Sequence, residues 1–177
     1  MFYKIGLFLI GFTLVSNASI NIEKLDTFKS DFTQSIKSTT GKTIEYKGAV
    51  FIKKDGKILW RYKTPIIKNV YVLNNFAIID EPELEQAIYT TLETEVNIIR
   101  LLQGAKEVEK NSFLANYQNV DYLIRTSNEE NKIDTISYKD RLENSVTIKF
   151  SDSIINDKIE DNIFKFTAPD YYDIIRK

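Results

Sequence analysis

From Thr43 to Asp80 large apolar residues recur at every second position, in short runs that turn residues interrupt. Alternation at period two sends successive side chains to opposite faces of a strand, so such a chain builds antiparallel hairpins with one apolar face. Residues 43–54 carry Ile44, Tyr46, Gly48, Val50 and Ile52 on one side. Asp55-Gly56 follows, a pair suited to a two-residue type I′ turn. Residues 57–63 then set Ile58, Trp60 and Tyr62 on one face, with Lys57, Leu59, Arg61 and Lys63 on the other. Pro65 ends that run because it has no N–H to give a ladder. Residues 70–73 and 76–80 make the next hairpin around Asn74-Asn75, both tolerant of positive φ.

Before this meander, Phe28, Phe32 and Ile36 are spaced by four, which fits a helix. The same residues fit alternate positions of a strand with Ser30 and Gln34 between them, and periodicity cannot choose. The threonines at 27, 33, 39 and 40 favour a strand over about 27–38, after a short amphipathic helix through Ile20, Ile22 and Leu25. A second helix is expected where Val96, Ile98, Ile99, Leu101 and Leu102 form a broad apolar face. Thr94 supplies its cap, Glu95 suits the positive end of its dipole, and Gly104 stands where a helix ends. Residues 117–126, 132–139, 145–150 and 164–167 read as further strands, with a polar turn over 128–131 and a helical turn over 157–163. The expected class is α+β, a single domain over 19–177 built on one long antiparallel sheet. A sheet of so many strands twists and curls, and short helices on its concave side would enclose an apolar space.

Composition removes several functions. There is no Cys and no His, so His- or Cys-based metal sites, His-based catalytic triads and disulfides are excluded, as is a lipid-modified cysteine. A formal charge of −1 gives no basic field for nucleic acid. Asp80, Glu81, Glu83 and Glu85 cluster in sequence without a nucleophile–base partner, so no enzyme is expected and no cofactor. Residues 1–18 read as a secretory signal: Lys4, an apolar run from Ile5 to Val15, then small residues in Ser16-Asn17-Ala18. The apolar run is shorter than the ~20 residues a membrane span needs.

Several short motifs, in order, are similar to those of the periplasmic outer-membrane lipoprotein carrier family (LolA). Phe28-Lys29-Ser30-Asp31-Phe32-Thr33-Gln34 resembles its opening F-x-x-x-F-x-Q strand, and Trp60, Tyr62 and Pro65 its W-x-(Y/M)-x-x-P element. Pro82 with Leu84-Glu85-Gln86-Ala87 resembles P-x-L-E-Q, residues 98–102 the covering helix, and residues 164–169 a closing F-x-F-x-x-P strand. The resemblance implies an open, strongly curved antiparallel sheet, an incomplete barrel, with short helices covering an apolar cavity for acyl chains. The cavity wall carried over residue by residue comprises Phe28, Phe32, Ile58, Trp60, Tyr62, Ile98, Ile99 and Leu102. An Arg-Pro pair latches the family's lid; here those positions are Lys54-Asp55, and Lys54 keeps the charge without the planar fork of donors. The family usually has an aromatic where this chain has Asp80.

The implied function is a soluble periplasmic carrier of acylated lipoproteins, working as a monomer. Its implied partners are an inner-membrane lipoprotein-releasing ABC transporter and an outer-membrane acceptor. An envelope lipid-binding or lipoprotein-sensing domain of the same fold is the alternative. Without the resemblance, Trp60 reads as plain core and Lys53-Lys54 as a solvated hairpin tip. The leader makes a direct prediction: the exported protein begins at Ser19, and intact-mass analysis of periplasmic extract should find it there. A membrane-bound species keeping residues 1–18 would contradict the assignment.

Overall fold

Strand formation dominates this chain. In the computed structural model, which describes residues 25–73, 76–91, 98–127 and 132–177, twelve strands join one sheet. The expected leader, the opening helix before Leu25, the cap over 94–96 and the turns at 74–75 and 128–131 lie outside the described residues. The first half contributes β1 (Thr27–Lys37), β2 (Thr43–Lys53), β3 (Lys57–Thr64), β4 (Lys68–Leu73), β5 (Phe76–Glu81) and β6 (Gln86–Thr91). One short helix follows, α1 (Ile98–Gln103). The second half contributes β7 (Lys106–Glu109), β8 (Ser112–Tyr117), β9 (Val120–Thr126), β10 (Ile133–Lys139), β11 (Ser145–Ile155) and β12 (Asp173–Arg176).

The strands lie in the order β12-β6-β5-β4-β3-β2-β1-β11-β10-β9-β8-β7, so the two edge strands, β12 and β7, leave the sheet open. Every pairing is antiparallel except β12 on β6. Residues 28–36 are strand, with Ile36 opposite Ile44 and Phe32 opposite Gly48 on one side and Phe150 on the other. The threonine-rich context outweighs the four-residue spacing because β2 and β11 supply ladders on both sides.

One face of this sheet gathers the core. Phe28, Phe32, Val50, Ile52, Ile58 and Val72 pack there with Ile124, Ile136, Val146, Ile148 and Phe150 from the second half and Leu101 and Leu102 from α1. Full burial of each large aliphatic or aromatic side chain is worth about 1.5–3 kcal/mol. Six residues of helix rise only about 9 Å, yet α1 touches both β2 and β8. Those strands stand five spacings apart, about 24 Å in a flat sheet, so the sheet bends around α1. Bulges supply the bend. In β11 the extra residue lies at Asp152, φ 53°, between the pairs Asp31–Ser151 and Lys29–Ile154. A second irregularity separates Lys47–Thr64 from Gly48–Tyr62.

Four sequence expectations need correction. The β2–β3 turn is a three-residue loop, Lys54-Asp55-Gly56, in which Gly56 N–H bonds the Lys53 carbonyl and Gly56 alone has positive φ. The two-residue loop with both φ positive is Gln118-Asn119, φ 50° and 63°, which breaks the expected 117–126 strand into β8 and β9. Strands β7 and β8 were invisible because β7 is exposed throughout and carries no alternation. Residues 164–167 form no strand: Phe164 closes a 3-10 turn (Asp161–Phe164) and packs on Leu59 across the outer face. Every strand beneath that segment already has two neighbours, and the chain finds a ladder partner only further on, where Asp173–Arg176 pairs with the free edge of β6 as β12. The helices are correspondingly minor, and α1 closes on a bond from Ala105 N–H to the Leu102 carbonyl rather than on a left-handed Gly104.

Gly48 sits where β2 comes close to the backbone of β3. A methyl group there would overlap the Arg61 carbonyl oxygen and come within 3.0 Å of Phe32 Cε1. The first obstacle is backbone and cannot rotate away. Gly48→Ala is therefore expected to destabilise the fold by about 1–3 kcal/mol, read as a lower urea midpoint. An unchanged midpoint would contradict the close approach.

Candidate functional site

The topology sorts the turns into two ends. The β1–β2, β3–β4, β5–β6, β8–β9 and β10–β11 turns all fall at one end, here the rim. The β2–β3 turn and the entrance to β1 fall at the other. That second end, here the tied end, is held by polar contacts between neighbouring elements. Asp26 N–H donates to Asn156 Oδ1 at 2.8 Å, Thr27 Oγ1 donates to the Asp157 carbonyl at 2.7 Å, and Asn156 N–H donates to the Thr27 carbonyl at 2.9 Å. Lys53 Nζ reaches Asp161 at 2.6 Å and Lys57 Nζ at 3.1 Å. Hydrogen bonds from these two lysines hold the Asp161 carboxyl below the usual carboxylate range.

On β1 to β3 the inner face changes character along its length. At the tied end Phe28, Ile52 and Ile58 are fully buried. Midway, Phe32 is buried and receives two aromatic neighbours edge-on, Trp60 with ring centroids at 5.0 Å and Tyr62 at 5.2 Å. Trp60 and Tyr62 are only half-buried. Towards the rim Tyr46 lies against Tyr62 at 5.8 Å, Tyr62 Oη donates to Gln34 Oε1 at 3.2 Å, and Lys68 Nζ stands 4.6 Å above the Tyr62 ring. Across the inner face Tyr122 and Tyr138 meet at 4.9 Å. They line a recess of about 350 Å³ that opens at the rim between the β8–β9 and β10–β11 turns, with Tyr117, Val120, Arg141 and Leu142.

The sequence-derived wall residues divide as follows. Phe28, Phe32, Ile58 and Leu102 share one cluster, and Trp60 and Tyr62 pack against it. Ile98 and Ile99 open α1, but their side chains lie outside the described residues. Lys54 is at the tied end, where its N–H donates to the Asp26 carbonyl at 2.9 Å and its Nζ stands 3.4 Å from Asp26 Oδ1. Asp80, which replaces an aromatic in the resemblance, is buried on the outer side and accepts from Asn69 Nδ2 at 2.9 Å. Tyr46, Tyr122 and Tyr138 were not singled out. Their period-two positions were legible, but only the pairing shows that they share a face with Trp60.

These features define a class of protein before any comparison: among the described residues, an open, mostly antiparallel sheet, one minor helix, and an apolar, aromatic inner face that on β1 to β3 loosens towards one rim. Comparison narrows the class. The family model for the outer membrane lipoprotein carrier protein LolA matches residues 23–136. The outer-membrane lipoprotein carrier protein of Campylobacter jejuni is 36% identical over 169 residues, 96% of this chain and 98% of that one. That of Wolinella succinogenes is 31% identical over 174 residues, 98% and 99% of the two chains. In fold, the chain is similar to an uncharacterized conserved protein from Thermus thermophilus, with TM-score 0.51 and 7% identity over 87% of this chain and 92% of that one. The chain belongs to the LolA family.

Burial of the inner-face tyrosines has a measurable consequence. Desolvation, reinforced by Tyr122 and Asp140, pushes the Tyr138 phenol up to about 12. An unfolded tyrosine gives up its proton near pH 10, so the folded state holds the neutral phenol after the unfolded state has ionised. This contribution is complete below pH 10 and is lost as pH rises through 12. Tyr138→Phe should reduce the loss of stability between pH 10 and 12 in urea titrations. An identical alkaline slope in the variant would contradict the burial.

Proposed function

We propose that this chain is a periplasmic carrier of acylated lipoproteins, holding acyl chains between the inner face of the sheet and α1. The observation that carries the reading is the gradient along the β1–β3 part of that face, from fully buried Phe28 and Ile58 to half-buried Trp60 and Tyr62 near the rim. Acyl chains entering from the rim would displace contacts that are already loose. Membership of a family whose relatives are named outer-membrane lipoprotein carrier proteins supports the same cargo. The proposed wall is Phe28, Phe32, Ile58, Trp60, Tyr62, Ile98, Ile99 and Leu102, and the work is done by burial alone, with no catalytic group.

Transfer from water is worth about 0.8 kcal/mol per CH₂, so a sixteen-carbon chain stands to gain roughly 12 kcal/mol if fully enclosed. Release therefore needs a better apolar site elsewhere or a competing closed state. The proposal includes an inner-membrane releasing transporter as donor, an outer-membrane acceptor, and a monomeric carrier between them. Lys54 contributes to the closed state in a modest way, because a solvent-exposed pair such as Lys54–Asp26 is worth about 0–1 kcal/mol.

Trp60 is the sole tryptophan, so its emission reports on the wall directly. Titration with a fatty-acid-like probe should shift that emission, and native mass spectrometry of protein purified from periplasm should show a co-purifying triacylated lipoprotein. No spectral response in folded protein, together with no lipoprotein mass, would overturn the reading. Lys54→Leu should load cargo normally and release it more slowly, by up to about fivefold for a loss near 1 kcal/mol. Unchanged release would remove Lys54 from the mechanism and leave the carrier reading standing.

A further inference from the structure

The β3–β4 turn carries adjacent exposed isoleucines at its tip. Ile66 is 46% exposed and Ile67 47%, and Ile44, on the neighbouring β2, is 52% exposed. Strand β2 runs past the end of β3, since Lys47 already pairs with Thr64, so Ile44 projects on the rim side of that pair, the side of the β3–β4 turn. Isolated apolar residues on a surface are ordinary, whereas a group at a projecting tip marks a contact.

The charge around this tip is one-sided. The two adjoining hairpin ends, residues 37–47 and 62–68, hold Lys37, Lys42, Lys47, Lys63 and Lys68 against Glu45 alone, in a chain whose formal charge is −1. Lys37, Lys42, Lys47 and Lys63 are exposed, and none of them has a carboxylate partner among the described residues. Lys68 is held over Tyr62 and Tyr46. At the tied end the arrangement is reversed: Lys53, Lys54 and Lys57 are each neutralised by Asp26, Asp55 or Asp161. Four unpaired exposed lysines thus gather around exposed isoleucines at this corner, whereas at the tied end Lys29 alone among the described residues stands unpaired, opposite Ile154. The acidic β5–β6 turn, with Glu81, Glu83 and Glu85, borders this corner and limits it on one side.

We infer that the β3–β4 tip is a membrane-surface contact: Ile66 and Ile67, helped by Ile44, enter the headgroup region of an anionic bilayer while the lysine collar meets its phosphates. Apolar residues at the interface and cations near anionic headgroups act additively, each Lys or Arg adding about 1 kcal/mol close to such a surface. The contact is reversible, because three aliphatic side chains and a few lysines fall far short of a permanent anchor. The acidic turn is repelled by the same surface and fixes the tilt of the sheet. This contact goes beyond the carrier reading and stands without it, since bare lipid is its ligand.

The test uses the whole mature chain and vesicles free of lipoprotein. Flotation with 7:3 phosphatidylethanolamine–phosphatidylglycerol vesicles at low salt should carry the protein, with at least tenfold less carried by phosphatidylcholine vesicles or at 0.5 M salt. Ile66→Ser with Ile67→Ser should lower binding about tenfold, and Lys63→Gln or Lys47→Gln about fivefold each. Unchanged thermal midpoints would establish that these exposed positions leave the fold intact. In a Trp60→Phe background, Ile66→Trp should blue-shift on vesicle addition and be quenched by brominated lipid. No flotation with anionic vesicles, or flotation indifferent to both sets of variants, overturns the inference. Retention on polyglutamate with no vesicle binding would assign the tip to an acidic protein instead and equally overturn it.

Discussion

The structure depends on one demand: a single twelve-strand sheet has a broad apolar inner face, and among the described residues one short helix is there to cover it. The outer face is partly covered by the chain after β11, through Ile159 and Phe164 on Leu59 and Phe166 on Tyr71. The inner face has α1, six residues long. Water would be left against a broad hydrocarbon surface if the sheet were flat. The sheet therefore bends until its own halves share a core, so that Leu102 of α1 lies in the same cluster as Val50 of β2 and Ile124 of β9.

Bending is a backbone property, and three local devices supply it. Asp152 adopts positive φ to place an extra residue in β11, and Ser30 turns its hydroxyl to the Ser151 carbonyl and to Ser153 Oγ, both at 2.8 Å, so the bulge leaves the Ser30 and Ser153 hydroxyls bonded to one another. Gly48 lets β2 approach β3 at the second irregularity. The edges stay apart, and on β1 to β3 the inner face loosens towards the rim. A face held tight at one end and loose at the other is suited to admitting hydrocarbon from one direction.

Much of this was written in the sequence, at the level where physics is local. The alternation of Ile58, Trp60 and Tyr62 fixed their common face, and the run Val146, Ile148, Phe150 did the same for β11. What stayed hidden is non-local. Strand β7 has four exposed residues and exists because β8 offers an edge, and β12 exists because β6 does. Phe164 and Phe166 have a strand-like spacing, yet the sheet beneath them was already fully paired. Tyr122 and Tyr138 became wall neighbours of the Trp60 side only through the order of strands, which no window of sequence contains. The lysine collar was visible as scattered charges, and only the pairing of hairpin ends made it one patch.

The central claim is that the two faces of β3 do different work, Ile58, Trp60 and Tyr62 meeting acyl chains while Leu59 on the other face packs under the chain that follows β11. Photo-crosslinking separates them directly. A triacylated lipopeptide with a photoreactive group on an acyl chain is bound, irradiated, and the labelled peptides mapped to single residues. The account predicts labels at Trp60, Tyr62 and their inner-face neighbours Phe32 and Tyr46, with Leu59 and Phe51 untouched. Labels confined to Phe51, Leu59 or Tyr71 on the outer face, with the inner face clean, would contradict it.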